Sequence, residues 1–385
     1  MLMLNEDQEL IRDSAERLIA ASYDFESRQR RLAQGAAFSA EMWQQFAELG
    51  WLGMALDEAD GGIGAGPTEL AIIARAFGQG LVTEPYLASV VLGAELLRRG
   101  ASEDLRLELL PQVAAGTLQL AVAFAERGAR YELSWVETSA RADSDGAFVL
   151  NGAKSVVLNG QSADHVIVSA RTRGATADAD GITLLCVPTA TPGVRMVGYR
   201  LNDQHPAADI TFDDVRVDSS RVIDEVDAGL DLLEAVVDQA CVIACAEAIG
   251  AMEAVMRMTL EYLNTREQFG RALGRNQALQ FRMVELQYAL EESRSMVAGA
   301  LDALNGDPIS RRAIVSATKV RVGNAARQVG REGIQLHGAI GMTEEYAVGH
   351  YYKRLETLRM LFGDPDHHLA RFGKWNALRN SSSLL

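Results

Sequence analysis

Residues 266–270 read Arg266-Glu267-Gln268-Phe269-Gly270, and residues 335–346 read Gln335-Leu336-His337-Gly338-Ala339-Ile340-Gly341-Met342-Thr343-Glu344-Glu345-Tyr346. In the first segment an arginine and a glycine follow a long helical pattern. A guanidinium supplies paired donors for an anion, and glycine lets a ligand approach the backbone closely. In the second, two glycines flanked by amide and hydroxyl side chains make a loop that can lie against a dinucleotide. Taken alone, the first segment also reads as a solvated helix end with Gly270 as its C-cap, and the second as an interhelical turn.

The surrounding pattern is helical. Val242, Cys245, Ile249, Met252, Met256, Leu260 and Leu263 recur at gaps of three and four, which predicts a long helix with one apolar face. Met283, Leu286, Tyr288 and Leu290 continue the pattern, and Val315, Val322 and Val329 share one helix face. Before this region lie short β-type runs: Phe148-Val149-Leu150, Lys154–Leu158, Val166–Val168, Ile182–Val187 and Ile210–Val217. Asn151-Gly152 reads as the two-residue turn of a hairpin, and Arg171–Gly181 as a surface loop. The N-terminal part is helical again. Asn5 and Gln8 form a capping box ahead of an apolar stripe of Leu10, Ile11, Ala15, Leu18 and Ile19. Helical signals continue through Leu70–Phe77 and Leu92–Leu110, around a glycine-rich loop at Asp60–Pro67. The expected fold is mainly α with a central β-domain. Ser381–Ser383 reads as a frayed tail.

The chain has 385 residues, enough for two or three packed domains, and a formal net charge of −15. Such an acidic surface disfavours nucleic acid and anionic membrane. The start, Met1–Asp7, lacks the basic region and apolar run of a signal peptide, and no uncharged run is long enough to span a bilayer. Of the three cysteines, Cys186, Cys241 and Cys245, the last two sit four apart in a helical stretch and read as small core residues rather than a bridge or metal pair, and the absence of a disulfide framework fits a reducing cytoplasm.

Taken together and in this order, the two glycine-bearing segments resemble the acyl-CoA dehydrogenase family over essentially the whole chain. The resemblance implies an N-terminal helical domain (1–117), a middle β-barrel-like domain (118–225) and a C-terminal four-helix bundle (226–385) carrying FAD and oligomer contacts. It assigns FAD contacts to Arg266, Phe269, Gln277, Gln335, Gly338 and Gly341, with the arginine and phenylalanine reaching the FAD of a neighbouring subunit. Asp60-Gly61-Gly62 and Asn151-Gly152-Ala153-Lys154 also match family segments. The stretches 244–250, 350–355 and 361–369 look like the small subunit of pimeloyl-CoA dehydrogenase, which is thought to pair with a separate large subunit. The implied reaction converts an acyl-CoA to the 2,3-enoyl-CoA: a carboxylate takes the α-proton and the β-hydride goes to flavin, whose electrons pass to an electron-transfer flavoprotein. The implied assembly is a homotetramer, or a heterotetramer with a large dehydrogenase subunit.

The family pattern breaks at the base. Its two usual positions fall on Ala240 and Phe362, neither of which takes a proton. Glu247, two turns beyond Ala240, is the substitute base; it also reads as a structural, hydrogen-bonded glutamate. Asp238 reads as a helix-start residue and Asp364 as a turn and cap residue. The family's Thr-Glu-Pro strand appears as Ala125-Glu126-Arg127, its flavin-covering tryptophan as Val156 and a nearby threonine as Leu158. A second reading follows: a non-catalytic subunit completing the flavin site of a partner that supplies the base. Arg127 and Arg130 read as surface residues that could also meet a substrate carboxylate. His337 reads as a cofactor contact or a structural histidine. His367-His368 read as packing or polar residues rather than metal ligands.

Overall fold

The computed structural model describes residues 4–35 and 38–382. The helices are α1 (Glu6–Ser22), α2 (Phe25–Ala33), α3 (Ala40–Glu48), α4 (Pro67–Gly80), α5 (Glu95–Gly100), α6 (Glu103–Ala114), α7 (Gly229–Thr265), α8 (Gln277–Ala303), α9 (Pro308–His337), α10 (Ala347–Met360) and α11 (Pro365–Ser382). Between α6 and α7 run β1 (Leu120–Ala123), β2 (Ser139–Ala142), β3 (Phe148–Leu158), β4 (His165–Arg171), β5 (Ile182–Pro188), β6 (Val194–Arg200), β7 (Pro206–Val217) and β8 (Val222–Ile223). The order helices, β-domain, helices is the one the sequence predicts. Met1–Met3, read for a signal region, and Ser383, read as part of a frayed tail, lie outside the described residues.

The chain forms two compact units, one of residues 35–66 and 83–240, the other of residues 1–34, 67–82 and 241–385. In the first, the strands form one mixed sheet of order β6-β7-β3-β2-β4-β5-β8, with β1 parallel to β4. Its core is aliphatic: Leu150, Val166, Val168, Leu185, Val187 and Ile210 are wholly buried. A buried ion pair is set into this core. Lys154 Nζ donates to Glu126 Oε1 at 2.7 Å and to Ser169 Oγ at 3.0 Å, while the Glu137 and Thr138 amides donate to the Glu126 carboxylate. Burial pushes the lysine pKa down to about 8 against the pull of Glu126. Burial opposes the charge on Glu126 too, but Lys154 and the amides outweigh it and lower that carboxyl.

The Asn151-Gly152 turn expected from the sequence is not a turn. β3 runs straight through it, and the pairing with β7 slips there by one residue. The Asn151 side chain bonds laterally with Asp214, and Gly152 has φ +144 with Thr138 so close that a Cβ would lie 2.6 Å from its Cα. An Asn-Gly pair serves a bulge as readily as a turn when the chain beyond it keeps pairing. The expected helix over 92–110 is also broken. A π-helical stretch, Leu87–Ala94, leads into α5, and the chain restarts at α6 after Ser102 caps it.

The second unit is built on long helices. α8, α10 and α11 all pack on α9. α4 crosses α7 at backbone contact: a Cβ on Gly78 would stand 2.0 Å from the Glu247 carbonyl, and one on Gly250 1.8 Å from that of Arg75. Glu253 on α7 ties the helices together, with Arg75 and Gln79 on α4 and Arg294 on α8 all donating to it. The Asn5–Gln8 capping box forms, and Val315, Val322 and Val329 are buried as expected. Leu10 and Tyr288, expected on apolar faces, point outward instead; Tyr288 joins Phe281 and Val284 in an exposed stripe on α8.

Candidate functional site

The first motif is a miniature hairpin. α7 ends at Thr265, and β9 (Glu267–Gln268) pairs with β10 (Arg271–Ala272). Phe269 and Gly270 make the turn, both left-handed at φ +55 and +76, the signature of a type I′ turn. Gly270 is therefore a hairpin glycine and not the helix C-cap. A phenylalanine strained in this way is held by its frame: the Leu273 amide donates to Arg266 O at 2.9 Å, and Arg271 donates to Asn276 Oδ1 at 2.7 Å. The ring of Phe269 projects from the tip with 101% relative exposure. Arg266 is exposed at the hairpin's base, and Gln277, also exposed, opens α8.

The second motif closes α9. Gly338 is its C-cap at φ +66, ψ −141, a conformation in which a side chain is strained, and nothing stands within 4 Å of where its Cβ would be. Gln335 and Gly338 are exposed. Gly341 is buried in the 3-10 turn Gly338–Met342, where a Cβ would meet Ile334 O at 2.9 Å. His337 is buried between Tyr262 and Tyr346, with ring centroids 4.7 and 5.0 Å away, and its Nδ1 lies 2.7 Å from Gly333 O. Burial pulls its pKa down, and its place is that of a structural histidine. The Tyr262–His337 contact sets the end of α9 beside the end of α7, and Arg282 reaches Glu332 at 3.4 Å between α8 and α9. The fold thus gathers the six expected FAD residues, Arg266, Phe269, Gln277, Gln335, Gly338 and Gly341, at one end of the helical unit.

The acids and base positions are arranged differently. Ala240 is fully buried. Glu247 is 6% exposed, and its Oε1 accepts from Arg354 Nε at 2.7 Å and Nη2 at 2.6 Å. Asp238 is buried in α7. Asp364 Oδ1 caps α11 by accepting from the His367 amide at 2.8 Å. Phe362 is left-handed at φ +60, ahead of Gly363 at +110. Arg127 and Arg130 are on the surface, Arg127 reaching Asp209 at 3.2 Å. Among the described residues no group of three or more His, Cys, Asp or Glu side chains is arranged to hold a metal ion, and no helix is long and apolar enough to cross a membrane.

Sequence profiles for the N-terminal, middle and C-terminal domains of acyl-CoA dehydrogenases match residues 5–117, 121–215 and 227–375. A 2-methylacyl-CoA dehydrogenase from Solanum tuberosum is 30% identical over 80% of this chain and 75% of its own length. The chain belongs to the acyl-CoA dehydrogenase family. The long-chain specific acyl-CoA dehydrogenase of Sus scrofa is 29% identical over 82% of this chain and 74% of its own. The fold also matches a chain of the ChsE4–ChsE5 complex of Mycobacterium tuberculosis, with a TM-score of 0.88 over 97% of this chain and 98% of that one, at 24% identity. Acyl-CoA dehydrogenases are oxidoreductases that act on CH–CH bonds with FAD.

The helical end of this acyl-CoA dehydrogenase fits such a cofactor. Gly338 offers open backbone, Gln277 and Gln335 offer exposed amide side chains, and Phe269 offers an uncovered ring. The β-domain offers less. Glu126 is taken up by Lys154, and Val156 is left-handed and exposed, its amide facing Tyr199 Oη and Asp209 Oδ1 at 3.2 Å each. Sequence reasoning missed two basic partners. Arg354 carries no local signal of its pairing. Lys319 does carry one, since it lies between Val315 and Val322 on the apolar stripe of α9 and is buried.

Proposed function

We propose that this chain is a subunit of an FAD-dependent acyl-CoA dehydrogenase in which it completes, from its helical end, a flavin site held mainly by a partner dehydrogenase subunit, and that the partner supplies the catalytic base. The observation that carries this is the state of Glu247. A base needs a free lone pair aimed at the substrate, and this carboxylate is buried in an ion pair with Arg354. With Ala240 and Phe362 at the usual positions, none of the candidate acids Glu247, Asp238 and Asp364 stands in a base's setting. When bound, flavin would supply the acceptor for the hydride from the β-carbon of the acyl group. The chain's own contribution is to hold and orient: Arg266 meets an anionic group of the cofactor, Gln277, Gln335 and the Gly338 backbone supply hydrogen bonds, and Phe269 covers an apolar face.

The exposed Phe269 and the α8 stripe of Phe281, Val284 and Tyr288 support an oligomer in which these surfaces meet the partner, as a heterotetramer. The ChsE4–ChsE5 complex is a precedent for a chain of this fold within a complex of two differently named proteins. An acyl-CoA substrate, electron transfer to an electron-transfer flavoprotein and a cytoplasmic setting complete the reading; three free, buried cysteines suit a reducing compartment. The test is FAD titration of the purified chain, alone and with its partner, followed by turnover of an acyl-CoA. The expected result is weak FAD retention alone and full occupancy in the complex. A full complement of flavin with turnover by the isolated chain overturns the proposal.

A further inference from the structure

The last turns of α9 meet α7 at two places. Gly333 comes first: a Cβ there would stand 2.5 Å from Val255 Cγ1, so a glycine lets the two helices lie this close. One turn on, the ring of His337 lies against Tyr262 of α7, with centroids 4.7 Å apart and planes at 33°. It also lies against Tyr346, 5.0 Å away at 51°, the residue that ends the glycine loop and precedes α10. The histidine is 2% exposed. A carbonyl only accepts, so its Nδ1 carries the proton and donates to Gly333 O at 2.7 Å. Its Nε2 makes no hydrogen bond among the described residues. The ring therefore meets the two tyrosines through aromatic contact alone.

These contacts join the two glycine-bearing segments at their roots. The Tyr262 carbonyl accepts from the Arg266 amide at 2.8 Å, so this tyrosine stands at the base of the hairpin that carries Phe269. His337 immediately precedes Gly338, and the loop that leaves from its ring returns to it at Tyr346. Within the loop Gly341 packs on the histidine stem, where a Cβ would stand 3.1 Å from His337 Cβ. Ending α9 requires none of this. The Gly338 conformation and its amide bonds to Ile334 O and Gln335 O are enough to cap the helix. We propose that His337 is a positioning residue for FAD: its ring, held between Tyr262 and Tyr346, sets the Arg266–Gly270 hairpin and the Gly338–Tyr346 loop at the spacing the cofactor needs. Fixing both segments before the cofactor arrives lowers the ordering cost of binding it. The inference rests on the proposed function in one respect, that these two segments meet the cofactor.

Two substitutions separate the ring from its hydrogen bond. His337→Phe keeps the ring and gives up the bond to Gly333, while His337→Asn keeps a donor near Nδ1 and gives up the ring. The first reading is amide exchange of the full chain at Arg266 and Leu273, whose amides close the hairpin. Both are far from His337 in sequence, and a histidine that only finished α9 would leave them unmoved. Exchange there is expected to rise severalfold in His337→Asn and to stay near wild type in His337→Phe. The second reading is FAD titration of the chain assembled with its partner. Affinity should fall about tenfold in His337→Asn, the scale of two lost aromatic contacts, and little in His337→Phe. A phenylalanine variant as perturbed as the asparagine one, or an asparagine variant that matches wild type in either reading, overturns the positioning role. Arg266→Ala is the control for the site itself. If it weakens FAD binding and His337→Asn does not, the positioning role alone falls; if neither does, the proposed function falls with it. Should His337→Asn not fold, Tyr346→Leu replaces it in both readings, since the aromatic link from that tyrosine to the hairpin runs through the His337 ring.

Discussion

Replacing Glu247 by glutamine takes one charge out of a pair in which both members are buried, Glu247 6% and Arg354 4% exposed. Both short bonds, at 2.7 and 2.6 Å, run from the guanidinium to the one oxygen Oε1. The amide oxygen of glutamine can accept one of them, but the guanidinium stays charged in a dry interior. Removing one partner of a buried pair costs about 3–5 kcal/mol, and the retained acceptor argues for about 3. For a unit of this size that lowers Tm by roughly 6–12 °C, at about 2–4 °C per kcal/mol. The assay pairs a thermal melt with turnover in the assembled enzyme, measured well below the variant's Tm. The expected outcome is a lower Tm with turnover per folded molecule largely kept. A double variant, Glu247→Leu with Arg354→Met, should recover much of the lost Tm, because it leaves no charge behind. The opposite pattern, turnover down about 10²–10⁴-fold with Tm unmoved, is the signature of a lost general base and would refute both the structural role and the proposed division of labour.

Three further outcomes follow from the geometry. Phe269→Gly relieves a left-handed strain of about 1 kcal/mol and leaves Tm level or slightly higher, while FAD retention and assembly with the partner weaken; unchanged assembly on a sizing column would count against the hairpin's role. Gly152→Ala drives a Cβ to 2.6 Å from Thr138 Cα at φ +144, so urea unfolding should show a loss of more than about 2 kcal/mol, and a neutral result would mean the bulge yields. His350 is buried and its Nδ1 lies 3.4 Å from Arg28, and burial, aided by that charge, lowers its pKa from 6.5. The unfolded chain therefore binds this proton first as pH falls through about 6.5, so stability falls with it until the folded pKa is passed. Urea midpoints at pH 7.5 and 5.5 should accordingly draw together in His350→Gln relative to the wild type; equal differences in both proteins would show that His350 does not carry the effect.

Much of this protein was legible in its sequence because the signals are local. Gaps of three and four marked α7 and a spacing of seven marked α9, since a helix's faces repeat within the helix itself. The two glycine-bearing segments marked both loops at the end of the helical unit, since left-handed turns demand particular residues wherever they occur. Local reading failed where the meaning of a residue depends on what the chain does next. Asn151-Gly152 suits a turn and a bulge alike, and only continued pairing of β3 with β7 chooses the bulge. Tyr288 has core spacing, yet α8 turns it to the surface.

The pairings that decide chemistry belong to the tertiary structure alone. Glu247 and Arg354 lie 107 residues apart, and nothing around either tells a free acid from a neutralised one. Lys319, on the apolar stripe of α9, meets Leu358 O and Leu361 O only because α9 packs against α10. Whether a buried group is charged, paired or free depends on groups brought within a few ångströms by helix packing, and a sequence records the residues without recording that distance.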